Sequence, residues 1–215
     1  MTELYIARID ELLDEKTRQR YLPTVSKTRQ EKVGRRRSAA GQAASLGAGM
    51  LLRWALYQRN IFEDETVTDE WGKPWVKACP SLYMSLSHSG DYAVCAFSDC
   101  PVGVDLQQRT MIRRSVLQKF YLQEQLEAWK KQFDKKEELF LSEAETERFL
   151  REWTVKESYV KLTGTGLSRD LRALMVDWNQ NRVEEADRPG WGSRFCEYPV
   201  LEDYFLSACS CPEEV

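Results

Sequence analysis

Trp153, Glu157 and Lys161 recur every fourth residue in the stretch Trp153-Thr-Val-Lys156-Glu157-Ser-Tyr-Val-Lys161-Leu-Thr-Gly164-Thr-Gly166. On a helix they rise along one face. A carboxylate one turn before an ammonium can be a surface ion pair, worth roughly a few tenths of a kcal/mol. It can equally hold a divalent cation while the lysine reaches phosphates that the cation bridges. A second stretch, Val102-Gly103-Val104-Asp105-Leu106-Gln107, alternates. On a strand Val102, Val104 and Leu106 share one face, and Gly103, Asp105 and Gln107 share the other. An Asp within an apolar strand is costly unless it is paired, as Arg109 nearby would allow, or coordinates a metal. Ser87-His88-Ser89-Gly90 carries the single histidine of the chain and reads as a tight turn, whose backbone N–H groups and hydroxyls suit a phosphate. Lys27 to Arg37 holds six cations against Glu31 alone. It is either a solvated helix face or a pocket for a phosphorylated molecule or nucleic acid.

These groups need elements to hold them. Leu4 to Ile9 alternates like a first strand, and Glu11 to Leu22 is helix-compatible up to Pro23. Leu46 to Tyr57 reads as a helix, and Trp71-Gly-Lys-Pro74 as a turn. Tyr83 to Ser87 and Tyr92 to Phe97 read as strands joined by the Ser-His-Ser turn, and Val102 to Leu106 as another. Ser115 to Leu162 is mostly helical in pattern, with a charged break near Asp134 to Glu138, and strand-like segments follow Gly166. Asp91-Tyr-Ala-Val-Cys-Ala-Phe-Ser98 resembles Asp203-Tyr-Phe-Leu-Ser-Ala-Cys-Ser210, and each would close about half of the chain. A duplication would give two similar α+β halves with a ligand cleft between them; two unrelated core strands would give the same pattern.

The 215 residues suffice for one large domain or two small halves, and 24 aromatics can build a packed core, which excludes global disorder. With 31 basic against 34 acidic side chains the chain is not basic overall, which argues against a dedicated nucleic-acid binder. Neither a signal peptide nor a membrane span is read, so the protein is expected in the cytoplasm. Six cysteines without a Cys-x-x-Cys pair are expected to be reduced, buried thiols rather than a zinc site.

Together these stretches resemble the Sfp-type 4′-phosphopantetheinyl transferases. The family pattern Trp-x-x-Lys-Glu-x-x-x-Lys-x-x-Gly-x-Gly is matched at every fixed position by Trp153 to Gly166. Gly103-Val104-Asp105-Leu106 matches a second signature, Ser87-His88-Ser89 a third and Gly72-Lys73-Pro74 a fourth, in family order. The resemblance implies an α+β fold of two halves, 1–101 and 102–215, related by a pseudo-two-fold axis with coenzyme A in the cleft. It implies transfer of the phosphopantetheine arm of coenzyme A to a serine of an apo acyl- or peptidyl-carrier protein of fatty-acid, polyketide or nonribosomal peptide synthesis, releasing 3′,5′-ADP. Carried over by position, Asp105 and Glu157 bind Mg²⁺. Ser87, His88 and Lys161 meet the diphosphate and the 3′-phosphate region, Lys73 and Pro74 flank the adenine, and Arg29 and Lys32 add charge near the 3′-phosphate.

Two positions depart from the family. Gln107 stands where many members carry a third metal-binding Glu. The expected general base falls at Glu124, although a gapless alignment places Gln125 there. The departures motivate a rival reading, a catalytically weakened member that only binds coenzyme A or a carrier protein. The carrier is expected to dock beside Arg109, Arg113, Arg114 and Lys119, on an apolar face of Val116, Leu117, Phe120 and Tyr121. No nucleic-acid or membrane partner is expected, and the protein is expected to be a monomer.

Overall fold

The computed structural model describes residues 2–70, 72–132, 139–166, 169–188 and 190–210. Strand β1 (Glu3–Arg8) pairs antiparallel with β5 (Tyr92–Ser98), whose other edge pairs with β4 (Tyr83–Ser89). Helix α3 (Ala39–Tyr57) covers this sheet, burying Leu46, Leu52, Ala55 and Leu56 against Met84, Ala93, Cys95 and Phe97. Helices α1 (Glu15–Tyr21) and α2 (Lys27–Gly34) precede it, and a short ribbon of β2 (Thr66–Thr68) and β3 (Pro74–Val76) follows.

The second sheet is antiparallel throughout. Its order is β6 (Val102–Gln108), β10 (Tyr204–Ser210), β9 (Gly192–Glu197), β8 (Arg182–Glu185) and β7 (Leu174–Asp177). Helix α6 (Glu143–Thr163) packs on β6 and β10, and α4 (Leu117–Phe120) and α5 (Gln123–Gln132) lead up to it. The fold is α+β, with helix, sheet, sheet and helix in layers.

Strand β5 is buried on both faces. Val94 and Ala96 turn away from α3 and pack on Val104 and Leu106 of β6 and Leu206 and Ala208 of β10, which closes the two sheets on each other. At one edge β4 and β6 run side by side, joined by side chains. The hydroxyls of Ser85, Ser87 and Ser89 accept the backbone N–H groups of Val104 at 3.0 Å, Leu106 at 3.3 Å and Gln108 at 2.9 Å. From Ser85 on, every second residue of β4 is a serine, and each supplies the acceptor that an N–H of β6 on that edge needs.

Several local expectations change. Helix α3 starts seven residues before Leu46, capped by Ser38, whose hydroxyl accepts the Gly41 N–H at 3.1 Å. Its glycines hid the start, and they serve close approach: a Cβ on Gly47 would lie 2.4 Å from the Ile9 side chain. The Glu11 to Leu22 segment splits into a 3-10 turn at Asp10–Leu13 and α1, which Asp14 caps. The supposed Ser-His-Ser turn is strand: β4 runs through Ser89, His88 pairs with Ala93, and the two-residue loop is Gly90-Asp91, with Gly90 at φ 52°. Of the cysteines, Cys95 and Cys209 are buried and burial pushes both thiols up to about 12, whereas Cys196 is exposed. Trp71, the charged break at 134–138 and Cys211 lie outside the described residues.

Candidate active site

Gly103 is where the site begins. A Cβ there would lie 1.9 Å from the Ser158 carbonyl oxygen and 2.4 Å from the Leu162 nitrogen, so only glycine lets β6 run against the backbone of α6. Strand alternation then turns Asp105 towards the same helix. Asp105 is 3% exposed. Oδ1 accepts from Lys161 Nζ at 2.6 Å and from Ser87 Oγ at 2.8 Å, and Lys161 also donates to Ser87 Oγ at 2.8 Å. Oδ2 accepts from Gln107 Nε2 at 3.3 Å. β4, β6 and α6 thus each contribute a side chain to one cluster.

Glu157, one turn before Lys161, is half-buried. Burial raises its carboxyl above the usual range, the Asp105 charge raises it further, and Lys161 partly offsets both. Two carboxylates are therefore close enough to repel. Their hard oxygen donors fit a divalent cation such as Mg²⁺, which typically takes one or two protein carboxylates and completes its shell with phosphate oxygens and water. Among the described residues no cluster of three or more acidic, histidine or cysteine side chains could hold a metal. An ion here would draw its other ligands from a bound substrate.

Two hollows meet at Glu157. One, of about 280 Å³, lies between Lys73, Pro74, Met84, Ser85, Lys161 and Gly164. The other, of about 590 Å³, is lined by Gln118, Lys119, Arg169, Asp170 and Arg172. Lys73 lies over Gly164, the left-handed cap of α6 at φ 76°, and its ammonium donates to the Leu162 carbonyl at the end of that helix. Pro74 opens β3 and lines the first hollow.

Cations gather beyond His88. Crowding by protein lowers the His88 pKa, and Lys161, Arg36 and Arg29 lower it further. Arg29 is likewise lowered by burial and by Arg36, against the pull of Asp64. Lys32 is lowered by burial, Arg29 and Arg35. Cations that depress one another's protonation form a place for an anion.

The structure does not bring Glu124 into this site. It is exposed in the first turn of α5 and lines neither hollow. Gln125 caps its own helix, accepting the Leu122 N–H at 2.7 Å. The apolar docking face also fails: Leu117, Phe120 and Tyr121 are buried in a core with Phe149 and Leu150, and Arg114 is paired with Glu145 at 2.6 Å. Arg113 and Lys119 are exposed, as are the nearby Met111 and Leu122.

One fixed position of the Trp153 to Gly166 motif has no role in the expected site. Lys156 has no exposed surface; its ammonium lies 3.0 Å from Glu152 Oε1 and 4.3 Å from the centre of the Phe120 ring. Tyr121 donates to Glu152 at 2.8 Å. The signal was spacing: Lys156 precedes Glu157, so it points about 100° away from the site on the helix.

Comparison with known proteins identifies the family. Residues 101–209 match the family described as the 4′-phosphopantetheinyl transferase superfamily. The chain belongs to that superfamily, a class of transferases. It is 25% identical over 222 residues to the 4′-phosphopantetheinyl transferase Sfp of Bacillus subtilis (strain 168), covering 99% of this chain and 96% of that protein. The transferase gsp of Aneurinibacillus migulanus is 25% identical over 221 residues, covering 98% of this chain and 86% of that protein. The transferase psf-1 of Bacillus pumilus is 33% identical over 114 residues, 53% of this chain and 44% of that protein.

Proposed function

We propose that this chain moves the 4′-phosphopantetheine arm of coenzyme A onto a serine of an apo carrier protein. The serine O–P bond forms as the P–O bond to 3′,5′-ADP breaks, and the hydroxyl proton passes to water through the open hollow. The observation that carries this reading is the Lys161–Asp105 ion pair next to Glu157, the carboxylate that lines both hollows. Phosphoryl-type transfer needs positioning and charge neutralisation more than covalent help, and these residues supply both.

In this reading Asp105 and Glu157, with the Gln107 amide beside them, hold Mg²⁺, which when bound neutralises charge on the diphosphate. Ser87 and Lys161 orient the diphosphate. Lys73 and Pro74 border the adenine, and His88, Arg29 and Lys32 meet the 3′-phosphate. The carrier, typically acidic, approaches over the second hollow, steered by the exposed Lys119. The reading includes the division into halves at 101/102 about a pseudo-two-fold axis. It is supported by a long helix on an antiparallel sheet in each half.

The test is an intact mass of an apo carrier protein incubated with this protein, coenzyme A and Mg²⁺. The mass should rise by one phosphopantetheine arm. Tight coenzyme A binding without any gain would favour the alternative that Gln107 motivates, a member that binds but no longer transfers.

A further inference from the structure

Both oxygens of the Asp105 carboxylate are taken by donors of this chain. Oδ1 holds the Lys161 ammonium and the Ser87 hydroxyl, and Oδ2 holds the Gln107 amide. A carboxylate only accepts, so Gln107 must turn its NH₂ rather than its oxygen towards it. The same ammonium lowers the Glu157 carboxyl, against burial and Asp105. One lysine thus balances two acidic groups that otherwise repel, at the place where a divalent cation would sit.

We propose that Lys161 is a tethered counter-ion that a divalent cation must displace from Asp105, and that the diphosphate of coenzyme A is what draws it away. This rests on the metal-dependent transfer reading above and adds an order to it. An ammonium on a four-carbon stem is a mobile point charge, and its side chain is 29% exposed. It can swing from a carboxylate to a phosphate oxygen and keep a charge-assisted hydrogen bond throughout. A bare cation must break the 2.6 Å Lys161–Asp105 contact and leaves the ammonium only the neutral Ser87 hydroxyl, with no anionic partner in exchange. A cation arriving with a diphosphate supplies one. Metal and coenzyme A then bind interdependently, each raising the affinity of the other. Gln107 completes the device: its amide must rotate to offer oxygen, whereas a carboxylate there would attract the bare cation.

The experiment is Mn²⁺ binding, read from the free-ion paramagnetic resonance signal and from calorimetry, with and without coenzyme A. It compares the whole wild-type protein with Lys161→Met, Lys161→Gln and Asp105→Asn. Without coenzyme A, both Lys161 variants should bind Mn²⁺ about tenfold more tightly than wild type, since one charge-assisted hydrogen bond no longer has to be broken. Coenzyme A should raise Mn²⁺ affinity strongly in wild type and much less in the Lys161 variants. Mn²⁺ should also raise the melting temperature of the Lys161 variants more than that of wild type, which reads the folded population directly. If Mn²⁺ binds in an Asp105-dependent way but equally in wild type and both Lys161 variants, the counter-ion role is overturned and the metal site stands. If no variant binds Mn²⁺ even with coenzyme A, the metal site falls and this inference with it.

Discussion

Lys156 Nζ and Glu152 Oε1 face each other at 3.0 Å, one helical turn apart, with the lysine wholly buried. The Phe120 and Tyr121 rings close over the ammonium, and the Tyr121 hydroxyl binds the other Glu152 oxygen. This clasp fixes α4 to α6, and hence Gln118 and Lys119 beside Glu157 on the wall of the second hollow. Breaking one partner leaves a buried charge alone. Glu152→Gln should cost about 3–5 kcal/mol in urea unfolding, whereas Lys156→Met with Glu152→Leu should cost only about 1–3 kcal/mol, because both charges leave together and the Tyr121 hydroxyl alone loses its acceptor. An unchanged midpoint in Glu152→Gln would mean that the clasp carries no stability.

Gly103→Ala tests the contact of β6 with α6. The added carbon meets backbone rather than a flexible side chain, so the strand or helix must move. Overpacking of this kind costs about 1–3 kcal/mol. It should also draw Asp105 away from Lys161 and lower transfer more than stability alone explains. A variant with wild-type melting temperature and rate would contradict the close approach.

Glu145 gives the acid response of the fold. Burial alone would raise its carboxyl, yet hydrogen bonds from Arg114 and from Ser142, whose hydroxyl and N–H donate at 2.9 Å and 2.8 Å, hold it below the usual range. A group depressed in the folded state stabilises above its ordinary pKa, and that stability is lost as pH falls from about 5 through the folded value. Glu145→Gln should lose about 2 kcal/mol at neutral pH and show a flatter decline between about pH 5 and pH 3. Parallel acid profiles for variant and wild type would contradict the pairing with Arg114 and the helix cap.

Gln107→Glu removes a donor to Asp105 and adds a carboxylate in nearly the same volume. Hard-cation affinity follows ligand charge. The Mg²⁺ concentration giving half-maximal transfer should therefore fall by about tenfold, while turnover need not rise, since tighter ground-state binding does not lower the barrier. Equal half-saturation values would place Gln107 outside the metal shell.

Spacing alone revealed much of the site. Gly103, Asp105 and Gln107 alternate along β6, and Glu157 and Lys161 climb one face of α6, because periods of two and of nearly four survive folding. What the sequence hid is long-range. Nothing in Ser85, Ser87 and Ser89 announces that their hydroxyls accept the N–H groups of a strand 19 residues on. Phe120 and Tyr121 look like a docking face until α6 covers them, and His88 looks like a turn until β4 extends to Ser89. Glu124 looked placed for proton transfer only by analogy of position, and α5 carries it to the outer surface. A sequence pattern indicates which way a side chain points along its own element, and the neighbouring element decides what it meets.

In the proposed transfer Asp105 and Glu157, from different elements, act as one carboxylate pair. The most direct measurement is kcat/KM for carrier-protein modification by Asp105→Asn and Glu157→Gln at saturating Mg²⁺, with unfolding curves recorded beside it. Both changes preserve shape and remove one charge. Each variant should stay folded and lose about 100-fold or more, the scale of a preorganised electrostatic partner. A near-wild-type rate in either variant would contradict the carboxylate pair.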